Sequence, residues 1–285
     1  MKFDTIALIG GDKRQLFCAK ALSDYGYRVM LAGFDSLESY GKLELVDLDT
    51  ALSAGDVFIL PITGVKGDVI PCNFSEKEIK IDNKLLIKLS DKPVFMGRAN
   101  SLSGINAFDL LKREDFAVKN ALPTAEGAVG VALKSYEGTI FGAKILVIGY
   151  GRIGKILSKM LKALGADVTV ATRSSVNSAY INCDGNKAIN TCELNSISEY
   201  DIVFNTADAL VIDKNILENS DFDILIIDLS SYPGGVDFDV ADKLGYTAFL
   251  ASALPGKYSP LSAGKIIADT VLTIIKEEYS WRKRI

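Results

Sequence analysis

One stretch constrains this chain more than any other: Lys144-Ile-Leu-Val-Ile148, then Gly149-Tyr150-Gly151-Arg152-Ile153-Gly154, then a run that ends at Gly165. The apolar segment Ile145 to Ile148 reads as a strand buried on both faces of a parallel sheet. Three glycines follow at G-x-G-x-x-G spacing. An amphipathic helix comes next, with Ile156, Leu157, Met160, Leu161 and Leu164 on one side and Gly165 where a C-cap glycine is expected. Strand, glycine turn and helix together form a dinucleotide-binding fingerprint. Gly149 permits the tight turn, Gly151 lets backbone approach a pyrophosphate, and Gly154 lets helix and strand lie close. The helix N-terminus adds unpaired N–H groups and partial positive charge for the phosphates. Gly149 to Gly154, with Tyr150, Arg152 and Ile153 between the glycines, are therefore candidate cofactor residues.

The chain has 285 residues, 48% of them hydrophobic, enough for two cores of ordinary domain size. No apolar run approaches the ~20 residues that span a bilayer. The start, Met-Lys-Phe-Asp-Thr, enters a strand without a cleavable signal pattern, so a cytoplasmic protein is expected. Cys18, Cys72, Cys183 and Cys192 are scattered and read as reduced thiols rather than a disulfide frame or metal site. A net charge of −4 with mixed signs argues against nucleic acid as a partner. The basic tail after Trp281 reads as a complement to a helix dipole. The sequence contains no histidine. Imidazole bases, His–Asp relays and His-ligated metals are thereby excluded, leaving carboxylates, Lys, Tyr, Ser/Thr and water for proton transfer.

Taken in order, strands are expected at 5–10, 27–32, 56–60 and 93–96, with a helix from Asp12 to Tyr25 facing inward through Leu16, Phe17, Ala21 and Leu22. Residues 64–92 fit the alternation poorly and read as a long, partly helical excursion. A short strand is expected near Phe116 to Val118, then an interdomain helix around Ala128 to Leu133. Beyond the fingerprint, strands are expected at 167–171, 202–205, 224–229 and 247–251. Ser259 as N-cap and Pro260 at the first helical position open a final helix. The class is α/β with two α/β domains: an N-terminal substrate domain (1–122), a Rossmann domain (123–258), and a C-terminal helix (259–285) returning to the first domain, with a cleft between the domains.

An NAD site places an acid about twenty residues past the glycines, on the ribose 2′-OH. Here the strand ends in Thr172-Arg173-Ser174-Ser175. A guanidinium and hydroxyls suit a 2′-phosphate, which favours NADP over NAD. Gly10-Gly11-Asp12-Lys13-Arg14-Gln15 forms another strand-to-helix turn. It lacks a third glycine, so a small carboxylate held by Arg14 fits better than a second dinucleotide. Ligands in open α/β sheets bind beyond the carboxyl ends of strands. Asn205 and Thr206 would then lie near the nicotinamide ribose, and Arg98 and Lys257 would hold carboxylates.

Several of these segments resemble the dipicolinate synthase A-subunit family: Ile9-Gly-Gly-Asp-Lys-Arg-Gln15, Val29 to Asp35, Leu122-Pro-Thr-Ala-Glu-Gly127, the glycine turn, Ala171 to Ser175, Asp228-Leu-Ser-Ser-Tyr-Pro-Gly-Gly235, Leu254-Pro-Gly256 and Ser262-Ala-Gly264. The resemblance runs from about residue 5 to 275. It implies an enzyme component of spore-forming bacteria that makes dipicolinic acid from dihydrodipicolinate or its hydrated precursor. It also implies a flavoprotein-like partner, the B-subunit of dipicolinate synthase, and a Rossmann domain similar to those of 2-hydroxyacid dehydrogenases. A homo-oligomer is also expected. The substrate is a ring with two carboxylates, for which Arg14, Arg98 and Lys257 are the candidate cations. Glu126 is the expected proton acceptor, with Asp12 and Tyr258 as alternatives. Two other readings stay open: a reductase for another small keto or imino acid, and a nucleotide-binding regulatory or scaffold component.

Overall fold

The computed structural model describes residues 3–38 and 40–280. The expectation for the tail after Trp281 lies outside them. The chain forms two compact units, one made of the residues before Ala121 together with those from Pro260 onward, the other of Ala121–Ser259. No helix among the described residues is long and apolar enough to cross a membrane.

The first unit begins with β1 (Thr5–Ile9), α1 (Lys13–Asp24), β2 (Arg28–Ala32), β3 (Glu44–Leu45), α2 (Leu48–Ala54) and β4 (Val57–Ile59). It continues with β5 (Val69–Ile70), β6 (Ile79–Lys80), α3 (Asn83–Ser90), β7 (Val94–Met96), β8 (Ala107–Asp109) and the start of α4 (Glu114–Ser135). Its main sheet is parallel with order β3-β2-β1-β4-β7-β8, a doubly wound arrangement. Alternate residues of each strand go to opposite faces, and both faces are covered. Ile6 and Leu8 pack with Leu16, Leu22 and the C-terminal helix, while Ala7, Ile9 and Met30 pack with Leu52 and Leu85.

The second unit follows with β9 (Lys144–Ile148), α5 (Arg152–Ala163), β10 (Asp167–Thr172), α6 (Ser175–Cys183), β11 (Lys187–Asn190), β12 (Ile202–Asn205) and α7 (Lys214–Glu218). It ends with β13 (Leu225–Asp228), α8 (Phe238–Leu244), β14 (Thr247–Leu250) and α9 (Leu254–Tyr258), after which α10 (Pro260–Ser280) belongs to the first unit. Its sheet, β11-β10-β9-β12-β13-β14, repeats the same parallel order.

Helix α10 packs along α1. A Cβ on Gly264 would lie 2.5 Å from the Arg14 carbonyl oxygen and 2.7 Å from the Cys18 amide nitrogen, so only glycine allows this backbone approach. Cys18 is fully buried there, and burial pushes its thiol pKa well up.

Several expectations are corrected. Phe116 to Val118 is not a strand; it lies in the first turns of α4, where Phe116 is buried and Val118 exposed. Glu114 and Asp115 at the helix start suit its dipole, and a three-residue apolar run carries no period of its own. Leu164, expected on the packed face of α5, is 44% exposed as the helix C-cap. Residues 64–92 hold the antiparallel pair β5–β6 and then α3. This excursion covers the β1–α1 turn: the Gly11 amide donates to the Pro71 carbonyl at 2.6 Å, and the Asn73 amide to the Gly11 carbonyl at 2.9 Å. The chain's own residues 70–73 thus occupy the space over the first glycine turn.

Candidate functional site

The glycine turn of the second unit is built for close approach. Gly149 has φ +96°, and a Cβ there would press on the Thr206 hydroxyl at 2.5 Å. A Cβ on Gly154 would run into the Gly149 carbonyl oxygen, so α5 starts hard against the turn. Gly151, the N-cap of α5, differs: no atom lies within 4 Å of where its Cβ would be. That open backbone face at a helix N-terminus is the cradle a pyrophosphate requires.

Beside it lies a cavity of about 570 Å³ beyond the carboxyl ends of β10 and β11. Ile148, Gly149, Thr172, Arg173, Ser174 and Asn177 form one side, and Leu194, Leu210, Val211 and Ile216 supply an apolar wall. Such a cavity takes an adenosine, its base on the apolar wall and its ribose at the strand end. Arg173 is exposed at the mouth. The Ser174 hydroxyl caps α6 by accepting from the Asn177 amide at 3.2 Å, which leaves its own proton to donate. The Thr172 hydroxyl accepts from the Ser174 amide at 3.3 Å and is mostly buried. Ser175 is the first residue of α6. These residues stand at the strand end where a bound dinucleotide places its adenosine ribose.

Other sequence candidates are engaged elsewhere. The Tyr150 hydroxyl turns inward to the Asp184 carboxylate at 2.7 Å, so only its backbone faces the turn. Burial, reinforced by that hydrogen bond, pushes its pKa up to about 12. Asn205, expected near the nicotinamide ribose, is fully buried. Its amide donates to Asp228 at 2.8 Å and to the Ala207 carbonyl at 3.0 Å, while its oxygen accepts from the Ala207 amide. A side chain so placed cannot touch a cofactor. Thr206 donates to the Ile148 carbonyl at 2.9 Å beneath Gly149 and shapes the turn from behind. Asp228, which the sequence alone does not single out as a site residue, accepts from Asn205 and from the Ser230 and Gly235 amides at 2.9 and 2.6 Å. It clamps the loop that contains the cis Tyr232–Pro233 bond.

Glu126 and Tyr258 lie near one another within the second unit, with Lys257 preceding Tyr258 on α9. A Cβ on Gly130 would lie 2.7 Å from the Tyr258 ring, and one on Gly127 2.8 Å from the Leu254 Cβ. Helix α9 therefore lies flat on the glycine face of α4. The Ser259 hydroxyl donates to Glu126 at 3.4 Å, a long contact, and Glu126, Lys257 and Tyr258 are exposed. Gly127 and Gly130, at i,i+3 inside an apolar helix, are the sequence signal of this contact.

In the first unit, Asp12 is the N-cap of α1, accepting from the Arg14 amide at 2.9 Å in a capping box with Gln15. Its carboxylate also grips the largely buried Arg14 through Nε at 3.0 Å and Nη2 at 2.6 Å. A carboxylate so engaged is poorly placed as a base, which corrects the expectation for Asp12. Arg14 keeps only Nη1 without a hydrogen-bond partner among the described residues. Arg98 follows β7 in the left-handed region, φ 51°, with an exposed side chain. Such an outlier at a strand end is strain the surrounding fold sustains. No group of three or more His, Cys, Asp or Glu able to hold a metal occurs among the described residues.

Residues 5–103 match the family model of the dipicolinate synthase A-subunit N-terminal domain, and residues 131–249 match that of shikimate / quinate 5-dehydrogenase. The chain superposes on the crystal structure of the dipicolinate synthase A-subunit from Bacillus halodurans with TM-score 0.86 and 31% identity, covering 95% of this chain and 97% of that one. A transhydrogenase from Sinorhizobium meliloti shares the fold, with TM-score 0.71 at 14% identity over 96% and 93% of the two chains. The dipicolinate synthase A-subunit of Bacillus subtilis (strain 168) is 34% identical over 95% of this chain and 96% of its own length. The glycine turn, the cavity beside it and this end-to-end similarity agree, and the chain belongs to the dipicolinate synthase A-subunit family.

Proposed function

We propose that this chain oxidises dihydrodipicolinate, or its hydrated precursor, to dipicolinate, with NADP as the preferred dinucleotide. A flavoprotein-like B-subunit is its partner, and the setting is the cytoplasm of a sporulating cell. The observation that carries the substrate is the end-to-end similarity to the dipicolinate synthase A-subunit of Bacillus subtilis. The choice of NADP rests on Arg173 with Ser174, at the strand end where an NAD site has an acid.

A bound nicotinamide dinucleotide would supply the acceptor for the hydride that leaves the ring. The chain's residues do the rest. The open Gly151 backbone and the N-terminus of α5 hold the pyrophosphate, and Arg173 and Ser174 hold the 2′-phosphate. Aromatising the ring releases one hydride and one proton. Glu126 takes the proton, with Tyr258 beside α4 as the second candidate. Lys257 in the second unit, and Arg98 and the Nη1 of Arg14 in the first, are each unit's candidate cations for a carboxylate, and the hydrated precursor additionally loses water.

Absorbance at 340 nm, followed with the purified chain, dihydrodipicolinate and NADP, tests this reading. A substrate-dependent rise is expected. A rise from this chain alone eliminates the scaffold reading, whereas a rise that requires the B-subunit leaves that reading standing beside the catalytic one. If neither arrangement gives a rise, the substrate is another small keto or imino acid.

A further inference from the structure

The two units repeat one architecture closely enough to be compared residue by residue. Ile9 pairs with Ala32 in the first sheet and Ile148 with Ala171 in the second. The next glycine, Gly10 or Gly149, donates its amide to Ala32 or Ala171, at 2.9 Å in both cases. On this register Asp35 stands where Ser174 stands, three residues past the paired alanine. The first unit thus carries a carboxylate where the second carries a hydroxyl next to a guanidinium.

A cavity also repeats. Beyond the ends of β2 and β3 lies one of about 630 Å³, similar to the 570 Å³ adenosine cavity beyond β10 and β11. Leu31, Leu45, Val46, Leu48 and Ile79 line it with apolar surface, and Asp35 is exposed at its edge. Of the other carboxylates around it, Asp47 and Asp82 are occupied as N-caps of α2 and α3, while Glu78, Lys77 and Lys80 are exposed at its rim. The hydrogen bond from Ser75, with backbone help and Lys77 nearby, holds the Asp35 pKa below the usual carboxylate range. It is an ionised acceptor at neutral pH.

The phosphate position does not repeat. Where Gly151 presents open backbone, the matching residue is Asp12, whose own carboxylate caps α1, and Gly11 before it is covered by Pro71 and Asn73. A Cβ on Gly10 would meet Cys72 and Pro71 at 2.8 Å. No pyrophosphate fits over that turn.

We propose that the cavity at Asp35 binds an unphosphorylated nucleoside, its base on the apolar wall and its vicinal ribose hydroxyls on the Asp35 carboxylate. A carboxylate accepts bidentately from a cis diol, and the covered turn leaves no place for a phosphate on the nucleoside's 5′ oxygen. The ligand is selected by the absence of the group that the second unit requires.

Adenosine is the probe, titrated calorimetrically into the full chain. Without dinucleotide two sites per chain are expected, and one when NADP is present in excess. Asp35→Ala should remove the site that survives in NADP, leaving one site without dinucleotide and none with it. Asp35→Asn should weaken that site about 10- to 100-fold, the range for a lost hydrogen bond to a charged group. AMP should bind it at least about tenfold more weakly than adenosine. An unchanged melting temperature in the variants separates loss of binding from loss of fold. The proposal is overturned if NADP abolishes all adenosine binding above a Kd of about 1 mM, if Asp35→Ala leaves the stoichiometry unchanged, or if AMP binds as tightly as adenosine.

Discussion

The proposed preference for NADP rests on a single side chain, Arg173. Arg173→Ala should lower NADP affinity by about 1.5–3 kcal/mol, roughly 10- to 100-fold, and change NAD affinity by less than about threefold. Fluorescence titration of the reduced cofactors reads this directly, and equal losses for both would reject the 2′-phosphate contact. Glu126→Gln should lower kcat/KM by well over threefold at an unchanged melting temperature; a change within threefold, under about 1 kcal/mol, removes Glu126 as the proton acceptor. At this scale the sequence is an uneven guide. The strand end at Arg173 is legible because its position relative to the glycines is fixed by strand and helix lengths. Asn205 misleads because it sits at a strand end like a ligand contact, but its partner Asp228 lies on the next strand, 23 residues away. Local sequence shows that a polar residue ends a strand, not which way its side chain turns. Tyr150 misleads similarly, since Asp184 at the end of α6 claims its hydroxyl.

Elements with strong periods are readable, and those held by tertiary contact are not. The fingerprint strand and helix, the Pro260 helix start and most buried strands carry their signal locally. The two-residue β3 and the pair β5–β6 are too short to show a period, and the half-exposed edge strand β11 lacks an apolar run. Helix crossings are sharper tests of the packing. Gly264→Leu would push a branched side chain into the backbone of α1 and should cost about 1–3 kcal/mol or more, read as a lower urea midpoint with unchanged slope. Gly154→Ala is expected to act differently, because its Cβ would displace the Gly149 carbonyl and with it the turn. Dinucleotide affinity should fall more than stability does. A variant that binds cofactor normally would show that the turn tolerates the shift.

Across the whole molecule, the missing histidines set the response to pH. Without imidazole, stability should be nearly flat from about pH 6 to 9, since histidine is the side chain that ordinarily titrates in that window. Tyr150 and Tyr200 have folded pKa values raised from 10.0 to about 12, chiefly by burial. A raised pKa favours the protonated native state, so their contribution is complete below pH 10 and is lost as pH rises toward 12. Asp115 and Asp184 are lowered, by hydrogen bonds from Arg113 and Tyr150 respectively, so theirs is present at neutral pH and lost as pH falls through their folded values. A melting-temperature profile that stepped near pH 6.5 would contradict this. The fold class of the second unit is legible from the glycine turn. That the first unit repeats its strand order is not, because its turn lies beneath residues 70–73 and lacks the open glycine pattern. The chain path also sets an order in time. Helix α10 completes the core around Leu16, Cys18 and Leu22, but the ribosome makes it only after all of the second unit. The domain begun first is thus finished last, and a nascent chain halted at Ser259 would present that apolar α1 surface to chaperones while its cofactor domain was already whole.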